Sequence, residues 1–255
     1  MPCKITALYR HPVKGFTPEA LPSVTLTPGA AFPFDRVYAV EDGPCGFDPA
    51  KPAWIAKQKF AVLAKTAAVA KVRTLYDEHD DILRATAQGA EDFRASFEHE
   101  AGRAAFAVWL TAVLGQDGGG PYRVINGEGH RFLDHPQGHV SIVNLASVRD
   151  LGIKIGRPLS PLRFRANLYV EGWPAWAEND WEGESLSLGA AKATVFKPIV
   201  RCAATMVDPA TAARDVDVPA ALFERYGHVL CGIYVHVTDG GFVRQGDAAA
   251  LPARS

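Results

Sequence analysis

The chain has 255 residues, 48% hydrophobic and 22% charged, with Lys plus Arg at 27 against Asp plus Glu at 28. That composition supports one large or two medium globular domains and argues against disorder, a collagen repeat or a coiled coil. The formal charge of −1 lacks the basic excess of a general nucleic-acid binder, and no apolar stretch reaches the roughly 18 residues of a membrane span.

Residues 5–9 alternate as a strand and are too short and polar for a signal core. With no leader ahead of them, Cys3, Cys45, Cys202 and Cys231 read as reduced thiols of a cytoplasmic protein, and they form no CxxC pair. Strands are also expected at 23–27 and 34–40, separated by turns at His11-Pro12 and Thr27-Pro28-Gly29. The spacing predicts a helix over 97–114, with Ala101, Ala105, Val108, Trp109 and Ala112 recurring at three and four residues and Gly115 as the stop. The Gly-rich run 115–121 follows and marks a domain boundary, giving units 1–118 and 119–255.

Beyond the boundary, strands are expected at 122–125, 140–143, 167–170 and 193–196. Residues 144–151 read as a short helix closed by Gly152, and 219–226 as another with Pro219 in its first turn. The segment 232–243 predicts a hairpin turning at Asp239-Gly240. Short strands with frequent turns make the fold mainly β with a few helices (α+β), a barrel or sandwich rather than a doubly wound sheet.

Several chemistries lose support at once. No GxGxxG follows a strand, and GxxxxGK[ST], HExxH and GxSxG are absent. His130, His135 and His139 are metal-competent imidazoles, but their segment has no cysteine and no regular scaffold, so solvated loop side chains are expected. Trp173, Trp176 and Trp181 suit an aromatic platform, yet core filling is the simpler expectation.

Cys202 differs from the other thiols because Arg201 adjoins it and Lys197 precedes it. Such cations favour thiolate, a soft metal ligand or nucleophile, while an inert buried cysteine is the competing reading. Asn144 ends a strand at a helix start with Ser147 in the first turn, an arrangement that leaves N–H groups for an anion. Arg163 and Arg165, offset by two, share one face if they lie on a strand and then suit a phosphate clamp; a solvated strand edge is the alternative. A thiolate candidate beside an anion pocket suggests a phosphate-bearing metal cofactor.

The set His11-Pro12-Val13-Lys14-Gly15, Asp35-Arg36, Ser141-Ile142-Val143-Asn144-Leu145-Ala146-Ser147, Arg163-Phe164-Arg165-Ala166-Asn167, Ala177-Glu178-Asn179-Asp180-Trp181, Arg201-Cys202 with Val207-Asp208-Pro209, and Gly246-Asp247 resembles the MOSC proteins. The resemblance spans nearly the whole chain, in order. It is to the two-part group with an N-terminal β-barrel domain ahead of the MOSC β-barrel, which includes the mitochondrial amidoxime-reducing component.

The resemblance implies a molybdenum–molybdopterin cofactor with Cys202 as the metal ligand. It implies that Lys14, Arg36, Arg165, Asn167 and Arg201 hold the pterin and its phosphate, with Asn144 and Ser147 in the segment against the cofactor. Asp208 matches an acidic position near the metal-binding loop, able to relay a proton or hold a substrate amine. The implied function is reduction of small N-hydroxylated substrates, with electrons from a separate donor protein because no four-cysteine ferredoxin-like cluster is present. The rival functions are a sulfur carrier or cofactor-sulfurating protein with a persulfide on Cys202, and an inert binding module. Two departures stand out: Gly15 replaces a serine, and Ala56-Lys57-Gln58 replaces a Thr-Gln-Arg stretch.

Overall fold

The computed structural model describes residues 3–250, and strands dominate it. The first half forms β1 (Lys4–Arg10), β2 (Glu19–Leu21), β3 (Ser23–Leu26), β4 (Ala39–Asp42), β5 (Arg73–Asp77), β6 (Ile82–Thr86) and β7 (Phe93–Ser96), then the helix α1 (Glu100–Leu114). The second half adds β8 (Tyr122–Ile125), β9 (Val140–Asn144), α2 (Leu145–Lys154), β10 (Leu168–Glu171), β11 (Ser185–Leu188) and β12 (Ala191–Val200). It closes with α3 (Val218–Tyr226), β13 (Leu230–Asp239), β14 (Gly241–Arg244) and β15 (Ala249–Ala250).

Eight strands join one sheet in the order β15-β11-β12-β13-β9-β10-β1-β2, which curls into a half-barrel. Successive side chains on a strand point to opposite faces, so each strand feeds two cores. Ile5, Leu8, Ile142, Leu168, Val195 and Ile233 face inward, where the β3–β14 ribbon covers them with Val24, Leu26 and Val243. Val143, Tyr169 and Cys231 face the other side, where α2 and α3 cover them with Val148, Leu151 and Leu222. Full burial of each such aliphatic side chain contributes about 1.5–3 kcal/mol, which makes this two-faced sheet the rigid scaffold.

A second core gathers around α1 and the β5-β6-β7 sheet, with Phe16, Leu83, Phe97, Phe106 and Leu110 fully buried. The two halves exchange strands. β1 and β2 sit in the large sheet, whereas β8 pairs with β4 and places Tyr122 and Val124 in the α1 core. Val207, which follows Cys202, also packs in the α1 core. A site carried by that loop is therefore held from both sides.

The structure revises several expected elements. α1 begins at Glu100 rather than residue 97, because Phe97 N–H still donates to the Asp81 carbonyl at 2.7 Å as part of the sheet. Its buried stripe is Phe106, Ala107, Leu110 and Leu114, while Val108 is 72% exposed. An Ala-rich helix offers two stripes of similar period, and the larger side chains take the core. The run 34–40 is strand only from Ala39, since Phe34 and Arg36 both adopt a φ of 52°.

α2 continues past Gly152 to Lys154; the missing side chain there serves close packing, since a Cβ would lie 3.0 Å from the Arg157 carbonyl oxygen. The tail does turn at Asp239-Gly240, but β14 pairs with β3 and not with β13. A Cβ on Gly240 would come within 2.9 Å of the Leu26 carbonyl oxygen, so glycine lets the chain cross against β3.

Candidate cofactor site

β12 delivers Arg201 and Cys202 to the end of the large sheet, where Arg201 N–H donates to the Val229 carbonyl at 2.8 Å. The chain then folds into a 3-10 turn, Ala203–Met206, and the Cys202 carbonyl accepts from Thr205 N–H at 3.0 Å and Thr205 Oγ1 at 2.9 Å. This turn fixes the backbone of Cys202 and leaves its half-buried thiol facing a cleft of about 250 Å³. Lys57 Nζ reaches Cys202 Sγ at 3.1 Å.

The other thiols stay elsewhere. Cys231 is buried, which pushes its thiol up to about 12. Cys45 Sγ donates to Glu41 Oε2 at 2.8 Å, and Cys3 Sγ to the Gly172 carbonyl at 3.5 Å.

Cations converge on the same cleft from distant segments. Arg165 follows the 3-10 turn Pro161–Phe164 in the left-handed region, with φ 52° and ψ 44°. Burial and the neighbouring Arg36 guanidinium bring Arg165 down to about 10. Its Nη2 is buried and has no hydrogen-bond partner. Arg201 donates from Nε to the Cys231 carbonyl and from Nη1 to the Phe164 carbonyl, each at 2.7 Å, and its Nη2 is likewise buried without a partner. Two orphaned guanidinium nitrogens beside a cleft are costly unless an anion takes them.

Arg36 pairs with Asp35 and donates from Nη2 to the Arg165 carbonyl at 3.3 Å. Lys14, 2% exposed, donates to the Phe132 carbonyl at 2.8 Å and pairs with Asp134. Burial pulls the Lys14 ammonium below its ordinary value. For Asp134 burial acts in the opposite sense, but Lys14 and Arg36 outweigh it and hold the carboxyl well below the usual carboxylate range.

Asn167 is 1% exposed and fully engaged. Its Oδ1 accepts from Ser141 N–H at 3.0 Å and Ser141 Oγ at 2.8 Å, and its Nδ2 donates to the Tyr9 carbonyl at 3.3 Å. It ties β9 and β1 to the start of β10 and so positions Arg165 two residues before it.

Four expected site residues sit away from the cleft chemistry or play a different part. Arg163 and Arg165 do not share a strand face, because Arg163 lies in the 3-10 turn. Its Nη2 pairs with Asp208 Oδ2 and Asp215 Oδ1, both at 2.7 Å, and its Nη1 donates to the Met206 carbonyl at 3.0 Å. Arg163 thus clamps the loop after Cys202. Asp208 is the other half of that clamp, and its Oδ1 also accepts from Ala210 N–H at 2.7 Å, so it closes a turn and does not line the cleft.

Asn144 caps α2, accepting from Ala146 N–H at 3.0 Å, and donates from Nδ2 to Glu178 Oε2 at 2.8 Å. Ser147 Oγ donates to Glu178 Oε1 at 2.7 Å. All three side chains are 0% exposed and none lines the cleft, so Asn144 and Ser147 are engaged by the buried Glu178 and stand apart from the Cys202 cleft.

The three histidines diverge, and no group of three or more metal-competent side chains occurs among the described residues. His130 packs edge-on to Phe132, His139 lies near His236, and only His135 lines the cleft. Trp173 and Trp181 are core side chains in a T-shaped pair, and Trp176 donates to Asp150 at 2.8 Å.

Sequence reasoning missed Lys57, Asp134 and Tyr234 as site residues, all in the cleft wall beside the expected Lys197. Lys57 was visible only as the basic member of the departing Ala56-Lys57-Gln58 stretch. Asp134 lies between β8 and β9, where no periodicity assigns it a face.

Two family models match consecutive parts of the chain. The model of the MOSC N-terminal beta barrel domain matches residues 3–121, and that of the MOSC domain matches 129–250. Human mitochondrial amidoxime-reducing component 1 is 24% identical over 176 residues, which are 58% of this chain and 51% of that protein. The chain thus spans about half the length of that relative. Among solved structures, the YuaD protein from Bacillus subtilis aligns over 98% of this chain and 94% of its own, at 16% identity and a TM-score of 0.47. YiiM from Geobacillus stearothermophilus aligns over 52% of this chain and 68% of its own, at 20% identity and a TM-score of 0.38. No helix among the described residues is long and apolar enough to cross a membrane. The chain belongs to the MOSC proteins, of the type with an N-terminal MOSC barrel domain ahead of the MOSC domain.

Proposed function

We propose that this protein is a molybdenum-dependent oxidoreductase that reduces N-hydroxylated small molecules, with electrons from a separate donor protein. The observation that carries the reading is the Cys202 thiol in a cation-walled cleft where Arg165 Nη2 and Arg201 Nη2 lack partners. The donor set fits a phosphate-bearing molybdenum–pterin group. A soft thiolate suits the metal, and the two free guanidinium nitrogens suit phosphate oxygens.

When bound, that group supplies two-electron redox chemistry at a cysteine-ligated metal. The residues of the chain do the rest. Cys202 anchors the metal from a backbone held by Thr205. Arg165 and Arg201 take the phosphate, with Lys14 and Arg36 adding positive charge behind them. Asp134 limits that excess by pairing with Lys14, and Lys57 keeps a cation against the thiol side of the cleft. Asn167 and Arg163 act as positioning residues, one for Arg165 and the other for the loop after Cys202.

The relative named for amidoxime reduction supports this substrate class. The test is direct. Purified, cofactor-loaded protein with a chemical reductant is given benzamidoxime, and benzamidine is measured. The reading expects benzamidine formation that Cys202→Ala abolishes. A persulfide on Cys202 with no benzamidine would instead mark a sulfur carrier.

A further inference from the structure

We propose that the cleft selects N-hydroxylated substrates that also carry a carboxylate, and that Lys197 at its rim is the residue that holds it. This rests on the reductase reading above and assigns it a substrate class. Lys197 lines the cleft, half-buried, with Nζ 2.9 Å from His135 Nε2. Among the described residues no carboxylate lies within ion-pair distance of it; neighbouring Lys192, by contrast, pairs with Asp239. An ammonium only donates, so His135 Nε2 is the acceptor of this contact, and burial with the adjacent Lys197 charge holds the ring below its ordinary value. Two ammonium hydrogens remain for a ligand.

The cleft offers a cationic substrate nothing comparable. Asp134 is paired with Lys14, and Asp208, the acid expected to hold a substrate amine, is paired with Arg163 outside the cleft. An ammonium or amidinium group entering past Lys197 meets mainly like charge, because Arg36, Lys57, Arg165, Lys197 and Arg201 outnumber Asp134, the one carboxylate among the described lining residues, and an excess of one sign concentrates the opposite one. The wall beside it also carries rings. His135 and Tyr234 both line the cleft, and Tyr234 is the strand partner of Lys197. A planar substrate ring finds stacking partners there. Lys197 lies five residues before Cys202, and strand spacing sets their backbones roughly 16 Å apart. That places the ammonium on a remote substituent of the substrate rather than on the reacting group.

The test compares 4-carboxybenzamidoxime with 4-(aminomethyl)benzamidoxime on the loaded protein, wild type beside Lys197→Ala and Lys197→Glu. The proposal expects a KM about ten-fold lower for the carboxylate in wild type, the ratio collapsing in Lys197→Ala and reversing in Lys197→Glu. Equilibrium binding of the non-reducible 4-carbamoylbenzoate and 4-(aminomethyl)benzamide provides a readout independent of turnover, with the same ratio and the same loss expected. Equal binding of the two in wild type, or a preference that survives Lys197→Ala, overturns the proposal. So does a molybdenum-to-protein ratio that falls in Lys197→Ala, since Lys197 then belongs to the cofactor. No turnover of either compound with the binding preference intact overturns the reductase reading and leaves the carboxylate site standing.

Discussion

Lys57 Nζ lies 3.1 Å from Cys202 Sγ although 145 positions separate the two residues. The contact joins the first half of the chain to the loop that leaves β12. Arg214 reinforces it by donating from Nη2 to the Leu63 and Ala64 carbonyls at 2.7 and 3.0 Å. The proposed metal ligand is therefore held between the two halves, and a residue of the N-terminal half faces its sulfur. Lys57→Ala is expected to lower the molybdenum-to-protein ratio of purified protein several-fold, the equivalent of about 1 kcal/mol, with Lys57→Arg retaining most of it. Full metal retention in Lys57→Ala would remove Lys57 from the site.

Arg165 carries an unusual pair of expectations with opposite signs. Its guanidinium lies beside Arg36 with a buried, unpartnered Nη2, so charge there works against folding when no anion is bound. Arg165→Met is expected to stabilise cofactor-free protein by about 1 kcal/mol, or at worst to be neutral. The same variant should lose most of the bound pterin phosphate. Chemical denaturation and phosphorus analysis read the two effects separately, and a destabilised empty variant with full cofactor content would contradict both.

The Arg163–Asp208 clamp makes a structural claim where the sequence suggested proton chemistry. Arg163→Ala leaves the Asp208 and Asp215 carboxylates without their shared cation, at a cost of about 3 kcal/mol. Asp208→Asn keeps the turn-closing acceptor and should cost about 1 kcal/mol or less. Its pH–rate profile should overlay that of the wild type. A displaced profile would return Asp208 to the proton-transfer chemistry.

His11 predicts an acid response. Burial, with Arg165 adding to it, pushes its imidazole down to about 3, while its Asp35 partner is held well below the usual carboxylate range against burial by Arg36. In the unfolded chain a histidine binds a proton near 6.5. Between pH 6.5 and about 3 the unfolded state therefore holds the extra proton, and stability falls with acidification by up to about 1.4 kcal/mol per pH unit. Asp35 adds its own loss at lower pH, below the usual carboxylate range. Urea titrations at several pH values should show His11→Asn losing the first component, so the stability gap to wild type narrows as pH drops. Parallel curves would show that His11 is charged in the folded protein.

Strand and helix positions were legible where the local pattern and the tertiary environment agree. β8 lies where alternation places it, and α3 carries its proline start and its Gly227 stop. Reading failed where a distant partner decides. The face of α1 is chosen by Phe106 and Leu110 over a competing alanine stripe, and β14 pairs with β3 across most of the chain. Arg165, Arg201 and Cys202 were visible as a cation–thiol group, and the structure brings them to one cleft. Lys57 and Asp134 were not, because they lie outside the regular strands and reach the cleft only through the packing of the halves. Asn144 and Ser147 looked like an anion site because a helix start always does in sequence. The buried Glu178 that satisfies them is more than thirty residues away.

The central claim is that Cys202 ligates a molybdenum–pterin group whose phosphate rests on Arg165 and Arg201. Its most direct test is metal and pterin analysis of wild type beside Cys202→Ala, both purified from cells able to make the cofactor. Molybdenum and pterin are expected together in wild type, with molybdenum lost in the variant. Wild-type protein that carries neither, or a variant that keeps its molybdenum, contradicts it.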